Sequence, residues 1–272
     1  MASTTSAAVR RVLVLHGYSQ NAIIFSKRLG ALRKESKDIE YVFLNAPHIL
    51  LPAELFGSPT RFDSVAQGEV PSEADTQVDP DLALRAWWRK NKEGTEARGL
   101  AESIMYIREV LREGRYDGIF GFSQGAAFAA VISALLERPH LYPPFLVDGK
   151  PPHPPLKFCV AVSGFKLLDP LCNPFFTPNY TTPTLHVLGR TDVVVVEERS
   201  RTLFEASKNA RLEEHDGGHF VPSKGNWRKF LVNYMKDPLG PHMSPTATSG
   251  ANAGVTETNG HGNYKSALMM KL

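Results

Sequence analysis

Short apolar runs alternate with amphipathic stretches from residue 12 to about residue 235. Runs at 12–15, 41–44, 118–120, 158–162, 184–188 and 210–214 are strand-length and bounded by turn formers, and they read as strands. Between them apolar residues recur at helical spacing: Phe25, Leu29 and Leu32, then Leu100, Ile104, Ile107 and Leu111, then Trp227, Phe230, Leu231 and Tyr234. Residues 126–136 form a further, almost wholly apolar helix, and another is expected at 197–207. Near-continuous apolar strands separated by helices predict an α/β protein, with a mainly parallel sheet covered by helices on both faces. No internal repeat interrupts the series.

Two segments break the rhythm. Residues 50–81 are rich in turn formers and lack periodicity, which is long for a connection in a compact domain. Leu82, Leu84, Trp87 and Trp88 then read as a bulky apolar helix. Residues 142–155 hold six prolines and can be neither a regular helix nor a central strand. Long loops of α/β proteins often carry function, so both excursions are expected to face substrate, the first more than the second. Beyond residue 237 large apolar side chains become scarce, too few to offset ordering entropy. The chain therefore divides into a flexible stretch at 1–9, one folded domain at 10–236 and a disordered tail at 237–272.

Composition narrows the classes without choosing one. A chain of 272 residues with 42% hydrophobic and 22% charged residues can bury a sizeable core. A formal charge of +3 with no Lys/Arg run argues against a nucleic-acid partner. No stretch approaches the roughly 20 apolar residues of a membrane span. Residues 1–11 faintly suggest a targeting peptide, but the following apolar run stops after four residues at His16-Gly17. The two cysteines, Cys159 and Cys172, form no disulfide framework, and a cytoplasmic location is expected.

The chemistry centres on Gly121-Phe122-Ser123-Gln124-Gly125. A serine between two glycines, after a strand and before a helix, has the pattern of a nucleophile elbow. A serine hydroxyl needs a base to take its proton and a third group to orient that base. In elbow proteins these partners follow in the order acid, then histidine. Asp192 leaves the strand 184–188, with Asp169 as the competing acid; Asp192 also suits a helix cap. His219 lies in Asp216-Gly217-Gly218-His219-Phe220, a loop that glycines let swing back over the serine, while His215 reads as a packing or surface residue. The His-x3-His pair 215/219 hints at zinc, but its two glycines argue against a helix and no cysteine lies near, so no metal is expected. The backbone N–H groups of Gln124 and of Tyr18, in the loop His16-Gly17-Tyr18, would bind an oxyanion. The alternative for that loop is a simple strand-ending turn.

These residues carry a resemblance. Residues 15–21 (Leu-His-Gly-Tyr-Ser-Gln-Asn), 45–48 (Asn-Ala-Pro-His), Trp87-Trp88 and 116–126 together resemble the fungal family of serine hydrolases, related to the animal ovarian-cancer-associated serine hydrolase. The likeness spans roughly residues 10–236 and implies an α/β-hydrolase fold with carboxylesterase or thioesterase activity. Asp192 and His219 fall where that family keeps its acid and base. Some fungal relatives release polyketide acids from their synthases, and the same elbow occurs in acyl-protein thioesterases. The expectation is therefore hydrolysis of a small-molecule or carrier-bound acyl ester or thioester, without a cofactor. A non-catalytic small-molecule or protein-binding module on the same scaffold is the alternative.

Overall fold

In the computed structural model, which describes residues 9–51, 54, 79–80, 82–91 and 95–247, the longer strands join in one six-stranded sheet. They are β1 (Arg10–Leu15), β2 (Ile39–Leu44), β3 (Gly118–Phe122), β4 (Phe158–Val162), β5 (Thr184–Gly189) and β6 (Ala210–His215). Their order across the sheet is β2-β1-β3-β4-β5-β6, and every pairing is parallel. The chain starts in the middle, steps out to β2, then returns to the other side of β1. That reversal makes a crevice beyond the carboxyl ends of β1 and β3, the place where ligands bind in open α/β sheets.

Strand alternation sends successive side chains to opposite faces. Leu13, Leu15, Ile119, Cys159 and Ala161 face α3 (Leu100–Glu113) and α4 (Gln124–Glu137), with Leu203 of α5 (Glu197–Glu205) in the same cluster. Val12, Val14, Phe120, Phe122, Val160, Leu185 and Val187 face α1 (Ala22–Arg28), α2 (Gly30–Glu35) and α6 (Gly225–Lys236). Helices thus cover both faces. Helix α4 is buried along nearly its whole length, which explains why its sequence shows no polar stripe.

Four expectations change. The helix expected around Trp87-Trp88 is absent: short antiparallel ribbons pair His48–Ile49 with Arg85–Ala86 and Arg89–Lys90 with Ala97–Arg98, and the two tryptophans form the bent link between them. Their backbone polar groups go to the Gln124 side chain of the elbow and, for the Trp87 carbonyl, to the Ser103 hydroxyl, instead of to a helix ladder. The apolar repeat at 25–32 is two short helices separated at Leu29, not one. The proline-rich 142–155 segment does not face the crevice. It joins the end of α4 to the start of β4, both at the amino edge of the sheet, and His153 Nε2 accepts from Tyr116 N–H there at 3.0 Å. Finally, residue 237 marks no break in packing: Arg211 donates to the His242 carbonyl at 2.7 Å, Ser244 Oγ donates to Glu213 at 2.6 Å, and Pro245 is buried. Residues 1–8, nearly all of the 50–81 excursion and residues 248–272 lie outside the described residues.

Candidate active site

The strand β3 runs without interruption to Phe122, and α4 begins at Gln124. Ser123 is the single residue of the turn, with φ 54° and ψ −118°, a left-handed conformation that costs a non-glycine residue energy. Its N–H donates to the Val162 carbonyl at 2.8 Å, and its carbonyl receives Ala126 and Ala127 N–H, so both sides fix the turn. The flanking glycines are dictated by space. A Cβ on Gly121 would lie 2.3 Å from the Gly125 carbonyl oxygen, and one on Gly125 would lie 2.3 Å from that of Leu15.

His219 bridges the serine to an acid. Its Nε2 lies 2.9 Å from Ser123 Oγ, and its Nδ1 lies 2.7 Å from Asp192 Oδ2. The other Asp192 oxygen accepts the N–H groups of Val194 at 2.9 Å and Val195 at 2.8 Å. Burial pulls the Asp192 pKa upward, but the His219 hydrogen bond and the Val195 N–H outweigh it and hold the carboxyl below its ordinary value. The ionised acid thus orients the imidazole with its second nitrogen toward the serine. Phe122 packs against the His219 ring, with centroids 4.8 Å apart.

The acid and histidine loops are joined backbone to backbone. Arg190 N–H donates to the His215 carbonyl at 2.9 Å, and Thr191 N–H to that of Gly217 at 3.2 Å. A Cβ on Gly189 would lie 2.4 Å from the Gly218 carbonyl oxygen, so that glycine permits the approach.

The competing residues are engaged elsewhere. Asp169 caps the 3₁₀ turn Pro170–Phe176 by accepting Leu171 N–H at 2.9 Å, and its other oxygen accepts Ala97 N–H at 2.8 Å. His215 Nδ1 accepts Gly217 N–H at 3.1 Å while its ring packs between Phe220 and Trp227. Burial lowers its pKa. Both ring nitrogens of His219 face Ser123 and Asp192, so the His-x3-His pair does not converge on a common point. No cluster of three or more metal-ligating side chains occurs among the described residues.

The loop after β1 closes the other side. A Cβ on Gly17 would lie 3.4 Å from Ser123 Cβ. Gly17 N–H is occupied by the Gln20 side-chain oxygen at 3.2 Å, while the Tyr18 and Gln124 N–H groups meet no protein acceptor among the described residues. His16 acts as a strut: Nδ1 donates to the Gly17 carbonyl at 2.7 Å, and Nε2 accepts Ala46 N–H at 3.0 Å. Burial pushes its pKa down to about 4, so the ring stays neutral.

One feature escaped the sequence reading. The Gln124 side chain accepts Trp87 N–H and donates to the Trp88 carbonyl, both at 2.8 Å. Trp87 Nε1 donates to the His16 carbonyl at 2.9 Å, and both indoles are fully buried. The tryptophans therefore brace the elbow and the β1 loop. The signal was the pairing of Gln124 in the motif with Trp-Trp far upstream, which no local periodicity connects.

Comparisons with known proteins give the family and the fold. The family model described as serine hydrolase (FSH1) matches residues 5–231. The chain is 35% identical over 245 residues to esterase OVCA2 of Danio rerio, covering 85% of this chain and 98% of that protein. It is 31% identical over 233 residues to family of serine hydrolases 3 of Saccharomyces cerevisiae, covering 84% of each. Among solved structures, Zea mays acyl-protein thioesterase 2 superposes with a TM-score of 0.56 at 17% identity, covering 87% of this chain and 96% of that one, a likeness of fold. No helix among the described residues is long and apolar enough to cross a membrane. With an elbow, the α/β-hydrolase fold and relatives of this length, the chain belongs to the FSH1 family of serine hydrolases.

Proposed function

We propose that the protein is a carboxylesterase or thioesterase that works through an acyl-enzyme on Ser123. The observation that carries the reading is the continuous chain Ser123 Oγ to His219 Nε2 at 2.9 Å and His219 Nδ1 to Asp192 Oδ2 at 2.7 Å. As Ser123 Oγ attacks the acyl carbon, His219 Nε2 takes its proton, and Asp192 stabilises the imidazolium without being protonated itself. The oxyanion forms against the N–H groups of Tyr18 and Gln124. Collapse expels the alcohol or thiol, which receives the proton from His219. Water then adds to the acyl carbon with His219 as base, Ser123 Oγ leaves with that proton, and the carboxylic acid departs. No step calls for a cofactor or metal.

The substrate is a small-molecule or carrier-bound acyl group. Val193, Val194, Val196 and Phe220, beside Asp192 and His219, are apolar and exposed, and they suit an acyl chain longer than acetyl. The two unpaired, buried cysteines fit a reducing compartment such as the cytosol.

A fluorophosphonate probe tests the reading. The folded protein is expected to take up one label on Ser123, and Ser123→Ala none. A folded, pure protein that resists the probe and turns over neither oxygen esters nor thioesters would instead favour a binding module on a hydrolase scaffold.

A further inference from the structure

On the same edge of the sheet as the elbow lies a pair of cations that the triad does not use. Phe165 follows β4 by three residues. Arg199 Cζ lies 3.6 Å from its ring centroid, and Lys90 Nζ lies 5.4 Å from the same centroid. Phe165 is tied to the elbow on two sides. Trp88, whose carbonyl the Gln124 amide holds, meets it edge-on at 6.3 Å. A Cβ on the preceding Gly164 would lie 3.1 Å from Cβ of Ala126, three residues past Ser123. Lys90, Phe165 and Arg199 thus sit at the carboxyl edge of the sheet, next to the elbow.

Among the described residues no carboxylate pairs with either cation. Arg199 lies in the first turn of α5, where the helix end already favours negative charge, and Glu197 in that turn is bound to Arg201. Partial desolvation against the protein lowers the pKa of both groups, although the Lys90 side chain remains reachable by solvent, and the Arg199 charge lowers that of Lys90 further. Lys90 is exposed and Arg199 half-buried, so a ligand can reach both. An anion between them would relieve the repulsion and give each a charge-assisted hydrogen bond.

We infer that Lys90 and Arg199, gathered on Phe165, receive a negatively charged group of the substrate, a carboxylate or a phosphate. The inference rests on the esterase reading and extends it to substrate class. A carboxylate would lie at the far end of the acyl chain; a phosphate would belong to the leaving thiol, as in a pantetheine-type carrier.

Two substrate pairs separate these sources. The mono-4-nitrophenyl ester of suberic acid is compared with 4-nitrophenyl octanoate, and octanoyl-coenzyme A with the octanoyl thioester of N-acetylcysteamine. The wild-type protein is expected to favour the charged member of one pair by about tenfold in kcat/KM, the scale of a hydrogen bond to a charged group. In the Lys90→Gln/Arg199→Gln double variant that ratio falls to near one, whereas Arg199→Lys keeps most of it. A merely structural role of the cations would lower both members of a pair together. Response of the suberate pair assigns the anion to the acyl group, and response of the coenzyme A pair assigns it to the leaving group. If wild type and double variant show the same ratios for both pairs, while Ser123 takes the fluorophosphonate label and neutral esters turn over, this inference alone is overturned. If Ser123 is not labelled and no ester turns over, the esterase reading falls and takes this inference with it.

Discussion

Around Ser123 the chain is held by contacts that leave no room for a Cβ, whereas around His219 it is held by backbone hydrogen bonds between loops at the surface. Gly121 and Gly125 each meet backbone at 2.3 Å where a Cβ would stand, and the strand before them and the helix after them are buried. At the acid and histidine loops only Gly189 is so confined by backbone, while a Cβ on Gly217 would meet the Phe220 ring at 2.2 Å; a Cβ on Gly218 would approach Thr191 no closer than 3.4 Å, and Val193 and Phe220 are exposed. Ser123, the proposed nucleophile, is therefore positioned by packing, which is insensitive to pH but intolerant of added atoms. His219, the proposed base, is positioned by polar links, which tolerate volume at Gly218 but depend on the charge of Asp192.

The largest effect should come from the nucleophile itself. Ser123→Ala is expected to keep the fold and lower kcat by about 10⁶-fold if the triad acts as a unit. Circular dichroism together with turnover checks this, and near-normal turnover in a folded sample would remove the mechanism. Next comes the polar side of the contrast. Asp192→Asn should lower kcat by about 10⁴-fold, since an amide no longer enforces the imidazole tautomer. Asp169→Asn should change turnover by less than about tenfold, because Asp169 caps a turn. Steady-state kinetics of the two variants decide between the acids, and a costlier Asp169 would move the acid to the other loop.

Glycine substitutions probe the packing side with a smaller effect. Gly125→Ala places a methyl against the Leu15 and His16 carbonyls and should destabilise by about 3 kcal/mol or more. Gly218→Ala, although next to His219, should cost under about 1 kcal/mol. Urea unfolding midpoints measure both, and equal losses would erase the distinction between the regions.

The pH dependence is the mildest effect. His16 is lowered to about 4 in the fold, from an ordinary value of 6.5, so the unfolded chain binds the proton first. The stability contributed by neutral His16 is full above pH 6.5 and is lost as pH falls from there toward 4. The depressed Asp192 adds a loss only at lower pH, as pH falls from its ordinary value of 3.8 through its folded pKa. His16→Gln keeps an acceptor for Ala46 N–H without the titration. Its unfolding midpoint should fall less than that of the wild type between pH 6.5 and 4; parallel falls would mean that His16 is not the strut described.

The same contrast governs what was legible in the sequence. The sheet was readable because β3 and β4 are buried on both faces and so are continuously apolar. That Ser123, Asp192 and His219 come together was readable because each closely follows a strand, in a fixed chain order. The Trp87-Trp88 segment was misread as helical because tertiary bonds from Gln124 replace its local ladder. The proline-rich segment was misplaced because composition says where a helix cannot be, not which edge of the sheet a connection follows. Phe165 with Lys90 and Arg199 had no local pattern at all, since the three come from the segment after β4, a short ribbon and the first turn of α5.

The central claim is a covalent intermediate on Ser123, and the burst phase tests it most directly. In rapid mixing with excess 4-nitrophenyl octanoate, the wild-type protein should release close to one equivalent of nitrophenolate before the steady rate wherever deacylation is the slower step. A second octanoyl ester with a different leaving group should then reach the same kcat, because both pass through one acyl-enzyme. Quenched samples should gain the mass of one octanoyl group on Ser123, and Ser123→Ala should show neither burst nor adduct. Turnover with no octanoyl adduct, and a kcat that follows the leaving group across the ester series, would contradict the account.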